Sequence, residues 1–205
     1  MEWLSTLALA MGASWVSGIR LYAVVATLGW LGKLGYATLP GELTMLTHPW
    51  VVGVSSALFV VEFFADKISY VDSAWDGIQT FIRIPAGAVL AAAAFTDFDP
   101  SIQVIAGLLG GGLALTSHGT KTTTRLLVNA SPEPVSNVAV STAEDAVSGV
   151  GLFLALMVPV LAVFAVAFVT IASWFVIPKI FRRLKNRKPR PTGAVPAAGN
   201  PSNSR

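Results

Sequence analysis

Apolar residues in this chain fall into long windows instead of the in-and-out alternation of a water-soluble fold. The windows run from Trp3 to Leu31, Pro49 to Phe64, Gly77 to Phe95, Ile102 to Thr116 and Ala146 to Ile177. A transmembrane helix needs about 20 predominantly apolar residues, and the second window approaches that length once Ala65 and Asp66 are added. The first window is too long for one tidy span and holds Ser17, Gly18 and Arg20 at its centre. This predicts a broken or re-entrant helix, because non-helical backbone at membrane depth is tolerated only where protein or a wet cavity covers it. The fourth window opens into the polar stretch from Ser117 to Arg125 and closes with Leu126, Leu127 and Val128, so a second break is expected near Gly119. The stretch from Asn129 to Thr142, with Pro132 and Pro134, reads as a loop. The last window contains Pro159 and is satisfied either by one kinked helix or by two shorter pieces.

Composition agrees with a membrane location. Of 205 residues, 54% are hydrophobic and 12% charged, about half the charged fraction of a soluble domain. The net charge of +3 belongs to the C-terminal tail: residues 1–178 hold six basic against eleven acidic residues, whereas seven Lys and Arg lie between Lys179 and Arg190. Such a cluster beside a span end predicts a cytoplasmic C-terminus and attraction to anionic lipid headgroups. Residues beyond Pro191 are too polar and Pro/Gly-rich to bury a core and read as disordered. The expected organisation is a helical bundle over residues 1–178, a basic juxtamembrane segment over 179–190 and a tail over 191–205. With no cysteine there is neither a disulfide frame nor a thiolate metal site. No cofactor, no metal and no nucleic-acid partner is expected, since no folded reader or aromatic platform is visible.

The candidate chemistry lies in ionisable residues inside apolar segments, where each costs on the order of 3 kcal/mol on insertion scales. Glu62 and Asp66 share one helical face, and Asp72, Asp76, Gln79 and Arg83 form a second stripe. Together they make an acidic side. His118, Lys121, Thr122 and Arg125, at i, i+3, i+4 and i+7, make a basic one. Glu144 and Asp145 are expected at the entry to the last helix, complementing its dipole, and Arg20 is expected to turn inward. Gly107, Gly110, Gly111 and Gly112, with Ala106 and Ala114, form a surface suited to close helix packing, and a candidate seam for a homo-oligomer. Six tryptophans fall mostly near window ends, as interfacial belts require. A weak internal repeat is suggested by Ser17-Gly18-Ile19-Arg20 against His118-Gly119-Thr120-Lys121, and by Ala74-Trp75-Asp76 against Ala143-Glu144-Asp145.

Glu62-x3-Asp66-Lys67, Asp72, Arg83-Ile84-Pro85-Ala86-Gly87, His118-x2-Lys121-x3-Arg125, Ser131-Pro132 with Ser136-Asn137, and Ala143-Glu144-Asp145 occur in that order. Over roughly residues 5 to 165 the chain thereby resembles the small integral-membrane family catalogued as domain of unknown function 4126. The resemblance implies a membrane architecture and a set of polar positions, and no reaction. The sequence therefore predicts an all-α polytopic integral membrane protein of four to six segments, multi-pass in the cell membrane, the inner membrane in a bacterium. The leading function is a small transporter or channel-like protein handling an ion or small solute. The pathway would be built from Arg20, Glu62, Asp66, Asp72, Asp76, Arg83, His118, Lys121, Arg125, Glu144 and Asp145. The alternative is a non-catalytic scaffold in which the same charges pair structurally. An enzyme is not expected: Ser117 and His118 are neighbours on one helix and point about 100° apart.

Overall fold

The computed structural model describes residues 2–129 and 134–185, all helix and short connections with no strand among them. Six α-helices follow in order: α1 (Glu2–Lys33), α2 (Pro49–Ala65), α3 (Ser69–Ala94), α4 (Pro100–Asn129), α5 (Pro134–Met157) and α6 (Pro159–Lys185). A 3-10 segment, Gly41–Thr47, precedes α2 and is bent 72° from it. Five helices are long and apolar enough to cross a membrane, or six if the bent pair counts as one span. The protein is an all-α polytopic membrane protein.

Helix α1 is the hub. Arg20 has φ −142° and ψ 74°, outside the helical region, and the helix is kinked there. A straight 32-residue helix would set its ends about 45 Å apart. Here both ends lie at one end of the bundle. The Trp3 ring packs on Phe95, centroids 6.5 Å apart, and the next residue, Thr96, accepts a hydrogen bond from the Glu42 N–H at 2.8 Å. At the other end of α1, Gly32 lies against Thr47 and Leu39. The helix is kinked at Arg20, and the expected break in the first window is present. Its companion near Gly119 is not: α4 continues as one helix from Pro100 to Asn129. Threonines 116, 120, 123 and 124 tie their hydroxyls to carbonyls four residues back, which satisfies the polar stretch inside the helix.

One further expectation is corrected, and the choice left for the last window is resolved. Residues 134–142, read as loop, form the first turns of α5, with Pro134 as the first helical residue, a position where a missing N–H costs nothing. Residues 130–133 lie outside the described part, as does the tail beyond Lys185. The last window is two helices, parted at Val158, because Pro159 has no N–H to continue the ladder. The α6 helix returns beside α4, where the Trp174 indole donates to the Thr116 hydroxyl at 3.4 Å. The expected basic segment over 179–190 begins as the last turns of α6.

Small residues let these helices approach. A Cβ on Gly110 would overlap Ala91, and it would stand 2.6 Å from the Gly87 carbonyl. One on Gly18 would overlap Ser117 and the Ala114 carbonyl. The outward faces of α3 to α6 carry exposed Phe81, Leu108, Phe164, Phe168, Trp174 and Phe175, as a lipid-facing surface should. Trp15, expected with the interfacial tryptophans, is instead buried against the core.

Candidate functional site: a buried charge network

Where the bend of α1 meets the α2–α3 turn, the ionisable residues of five helices converge. Asp66 caps the C-terminus of α2, and its fully buried carboxylate receives Arg20 Nη1 at 2.6 Å and Lys121 Nζ at 3.2 Å. Arg20 reaches on to α5, with Nη2 2.8 Å from Asp145 Oδ1 and 3.2 Å from the Ser141 hydroxyl. Arg83 forks between Glu62 at 2.5 Å and Asp76 at 2.6 Å. Lys121 is central, 3.0 Å from Asp76, 3.2 Å from Asp66 and 3.9 Å from Glu144. Arg125 makes a two-pronged pair with Glu144, at 3.1 and 2.7 Å, and lies 3.5 Å from Asp72.

The backbone is tied into the same network. A helix C-terminus leaves carbonyls without intrahelical partners, and the Asp66 carbonyl is taken by Arg125 Nη1 at 3.3 Å and Asn137 Nδ2 at 3.4 Å. Asn137 in turn accepts from Arg125 at 2.6 Å. His118 Nδ1 faces the Gly18 carbonyl at 3.2 Å, in the last turn before the α1 bend, and Nε2 faces the Thr80 hydroxyl at 2.7 Å. Gln79 donates to the Tyr22 hydroxyl at 3.0 Å.

All eleven predicted site residues belong to this assembly, though not always in the predicted place. Glu144 and Asp145 sit within α5, well past its first turn, so they neutralise Arg125 and Arg20 and do not serve a helix N-terminus. Glu62 faces Arg83, not the basic residues of α4. The closeness of Glu62 and Asp66 to a span end does not wet them: both are 0% exposed. Asn137, named only within the family motif, and Ser141 were not placed in the site because their segment read as loop. Their spacing with Glu144 and Ser148, at i, i+4, i+7 and i+11, is the helical signal that marks them. Lys67, at 3.7 Å from Asp145 and over the Phe63 ring, was likewise not foreseen in the site.

Ten ion pairs among the described residues link five basic side chains, Arg20, Lys67, Arg83, Lys121 and Arg125, to six carboxylates. With every carboxylate ionised, one negative charge is left over. Glu62 Oε2, Asp66 Oδ1 and Asp72 Oδ1 have no hydrogen-bond donor. Asp66, Asp72 and Asp76 each bring a carboxylate oxygen within 4.8 Å of the others, the geometry a cation would use. The Lys121 ammonium already stands against two of them. Neither of the two prominent surface cavities has a network residue in its lining. One, of about 520 Å³, is an apolar groove between α1, α4 and α6, and the other lies beside Glu2, Pro40 and Asp97.

The fold and the site together define a small polytopic membrane protein whose helices cross on a buried, branched ion-pair network. The family described as "Domain of unknown function (DUF4126)" matches residues 7–179, and the chain belongs to it. No curated protein and no solved structure matches the chain.

Proposed function

We propose that the protein is a small ion transporter in which the charge network is the binding and transfer site. The observation that carries this reading is the surplus carboxylate. A buried ion pair adds little stability over well-packed apolar side chains, so fastening helices gives no reason to hold eleven charges with one unbalanced. An ion or proton that visits the site supplies the missing positive charge. On this reading the present conformation is an occluded one, and α1, bent at Arg20 and packed on α2 to α5, is the element whose movement opens it. The re-entrant first helix leaves α2 to α6 as five crossings, with the N-terminus on the side opposite the basic end of α6. The end bearing Lys179 and Arg182 faces the cytoplasm, in the inner membrane of a bacterial cell, and there meets anionic lipid. A non-catalytic role is part of the proposal, as is assembly with further copies through an exposed helix face.

A second reading, a scaffold held by structural ion pairs, is favoured by the complete burial of Arg20, Glu62, Asp66 and Arg83. Proteoliposome flux separates the two. For a transporter, Asp72→Asn abolishes the flux of protons or alkali cations while the purified protein remains monodisperse. Absence of flux from the wild type for every such ion removes the transport reading.

A further inference from the structure

The hydrogen bonds around His118 specify more than the ring's orientation. Its Nδ1 lies 3.2 Å from the Gly18 carbonyl, which can only accept, and 3.5 Å from Arg83 Nη1, which can only donate; the shorter contact assigns the proton to Nδ1. Its Nε2 lies 2.7 Å from Thr80 Oγ1, and that hydroxyl also lies 2.8 Å from the Asp76 carbonyl. Thr80 has one proton to give. If it donates to Nε2, the imidazole is neutral; if it donates to the Asp76 carbonyl, the oxygen is free to accept from an Nε2–H and the ring is an imidazolium. Both states keep the same heavy-atom positions, and only the hydroxyl hydrogen rotates.

The charge count gives the second state a purpose. Five basic side chains face six carboxylates, and with all six ionised one proton on His118 brings the network to neutrality. The charged groups bearing on the ring are Arg83 and Asp76 from α3 and Lys121 from its own helix. Arg83 Nη1 is 3.5 Å from Nδ1 and opposes the second proton, but its own charge is divided between Glu62 and Asp76. Gly18, on α1, contributes only its carbonyl.

We infer that His118 Nε2, paired with the Thr80 hydroxyl, is the proton-binding site of the network, and that its second proton is the positive charge the carboxylates lack. The proton comes from water as hydronium, an N–H bond forms at Nε2, and the Thr80 hydroxyl turns to the Asp76 carbonyl. The role of that proton as the moved ion rests on the transport reading; its binding does not. Imidazole is the side chain whose unperturbed charge change falls between about pH 5 and 8.

Imidazole-¹⁵N-labelled full-length protein in lipid nanodiscs tests this by NMR from pH 5 to pH 8. His48 is the other histidine, at the N-cap of α2, and His48→Ala leaves His118 alone. Wild-type protein with both signals resolved serves if that variant does not fold. The expected result is two protonated ring nitrogens at the acid end, with Nε2 alone losing its proton as pH rises. A ring that stays neutral throughout, or one that keeps Nε2–H and loses Nδ1–H, overturns the inference. If the ring titrates as expected and no flux is found, the transport reading fails alone.

Discussion

Arg20 and Asp66 are 2.6 Å apart with neither side chain exposed, which fixes the bend of α1 to the C-terminal cap of α2. Two other helices of the site are reached from this pair within one further contact: Asp145 on α5 from Arg20, and Lys121 on α4 from Asp66. Lys121 then touches Asp76 on α3.

Asp66→Asn leaves Arg20 and Lys121 short of a carboxylate at full burial and should cost about 3–5 kcal/mol. The loss is read as a fall in thermal midpoint in detergent and in membrane abundance. Abundance and midpoint equal to wild type would show that the pair does not hold the bend.

Exchange of charge between Glu62 and Arg83 gives a contrasting outcome. Glu62→Arg with Arg83→Glu should recover only part of the stability lost in either single variant, because Arg83 also serves Asp76. A double-mutant cycle on unfolding midpoints measures the coupling. Full recovery would mean that Asp76 does not depend on Arg83.

The folded-back α1 predicts which positions share a face of the membrane. In this cysteine-free chain, Glu2→Cys and Lys33→Cys should both react with an impermeant maleimide added from one side, and Arg182→Cys only from the other. Opposite-side labelling of positions 2 and 33 would make α1 a single crossing.

Glycines of similar composition differ in what surrounds them. Gly18→Ala and Gly110→Ala press a methyl into a neighbouring helix and should each cost about 1–3 kcal/mol. Gly112→Ala meets open space and should be neutral or gain up to about 1 kcal/mol from helix propensity. Thermal midpoints of the three variants check the ordering.

Asp99 precedes Pro100 and caps α4, accepting from the Ser101 N–H at 2.8 Å and its hydroxyl at 2.5 Å. These bonds hold the Asp99 carboxyl below the usual carboxylate range. A folded value below the unfolded one contributes stability above the unfolded pKa, which is lost as pH falls through the folded one. Asp99→Ala should therefore lower the midpoint at pH 7 and converge with wild type as the pH falls below the carboxylate range. A difference that persisted there would rule out the charge as its source.

The membrane segments and the polar positions were legible because each rests on local pattern: window length, helical spacing of charged groups, and a window too long and too polar for one span. What was not legible depends on contacts across the bundle. Glu62 and Asp66 face different cations although they share a helix face, since Arg83 and Lys121 arrive from different helices. The stretch after Asn129 read as loop because its prolines and serines are turn formers in isolation. Asn137 and Ser141 are helical there because Arg125 and Arg20 need their oxygens. The polar run in α4 suggested a break, yet its threonines bond back to their own helix. The proposed repeat fares unevenly for the same reason, with a bend at Arg20 and none at Gly119.

The order of synthesis gives the α1 bend a consequence for assembly. When Arg20 leaves the ribosome, Asp66 lies 46 residues behind it and Asp145 a further 79. Until the α2–α3 hairpin emerges, the nascent first helix carries an arginine with no counter-ion, and the Asp66 carbonyl waits longer still for Arg125 and Asn137. The bend at Arg20 therefore has its full set of partners only once α5 has emerged. A chain truncated before Asp145 keeps the Arg20–Asp66 pair and lacks the second carboxylate of Arg20.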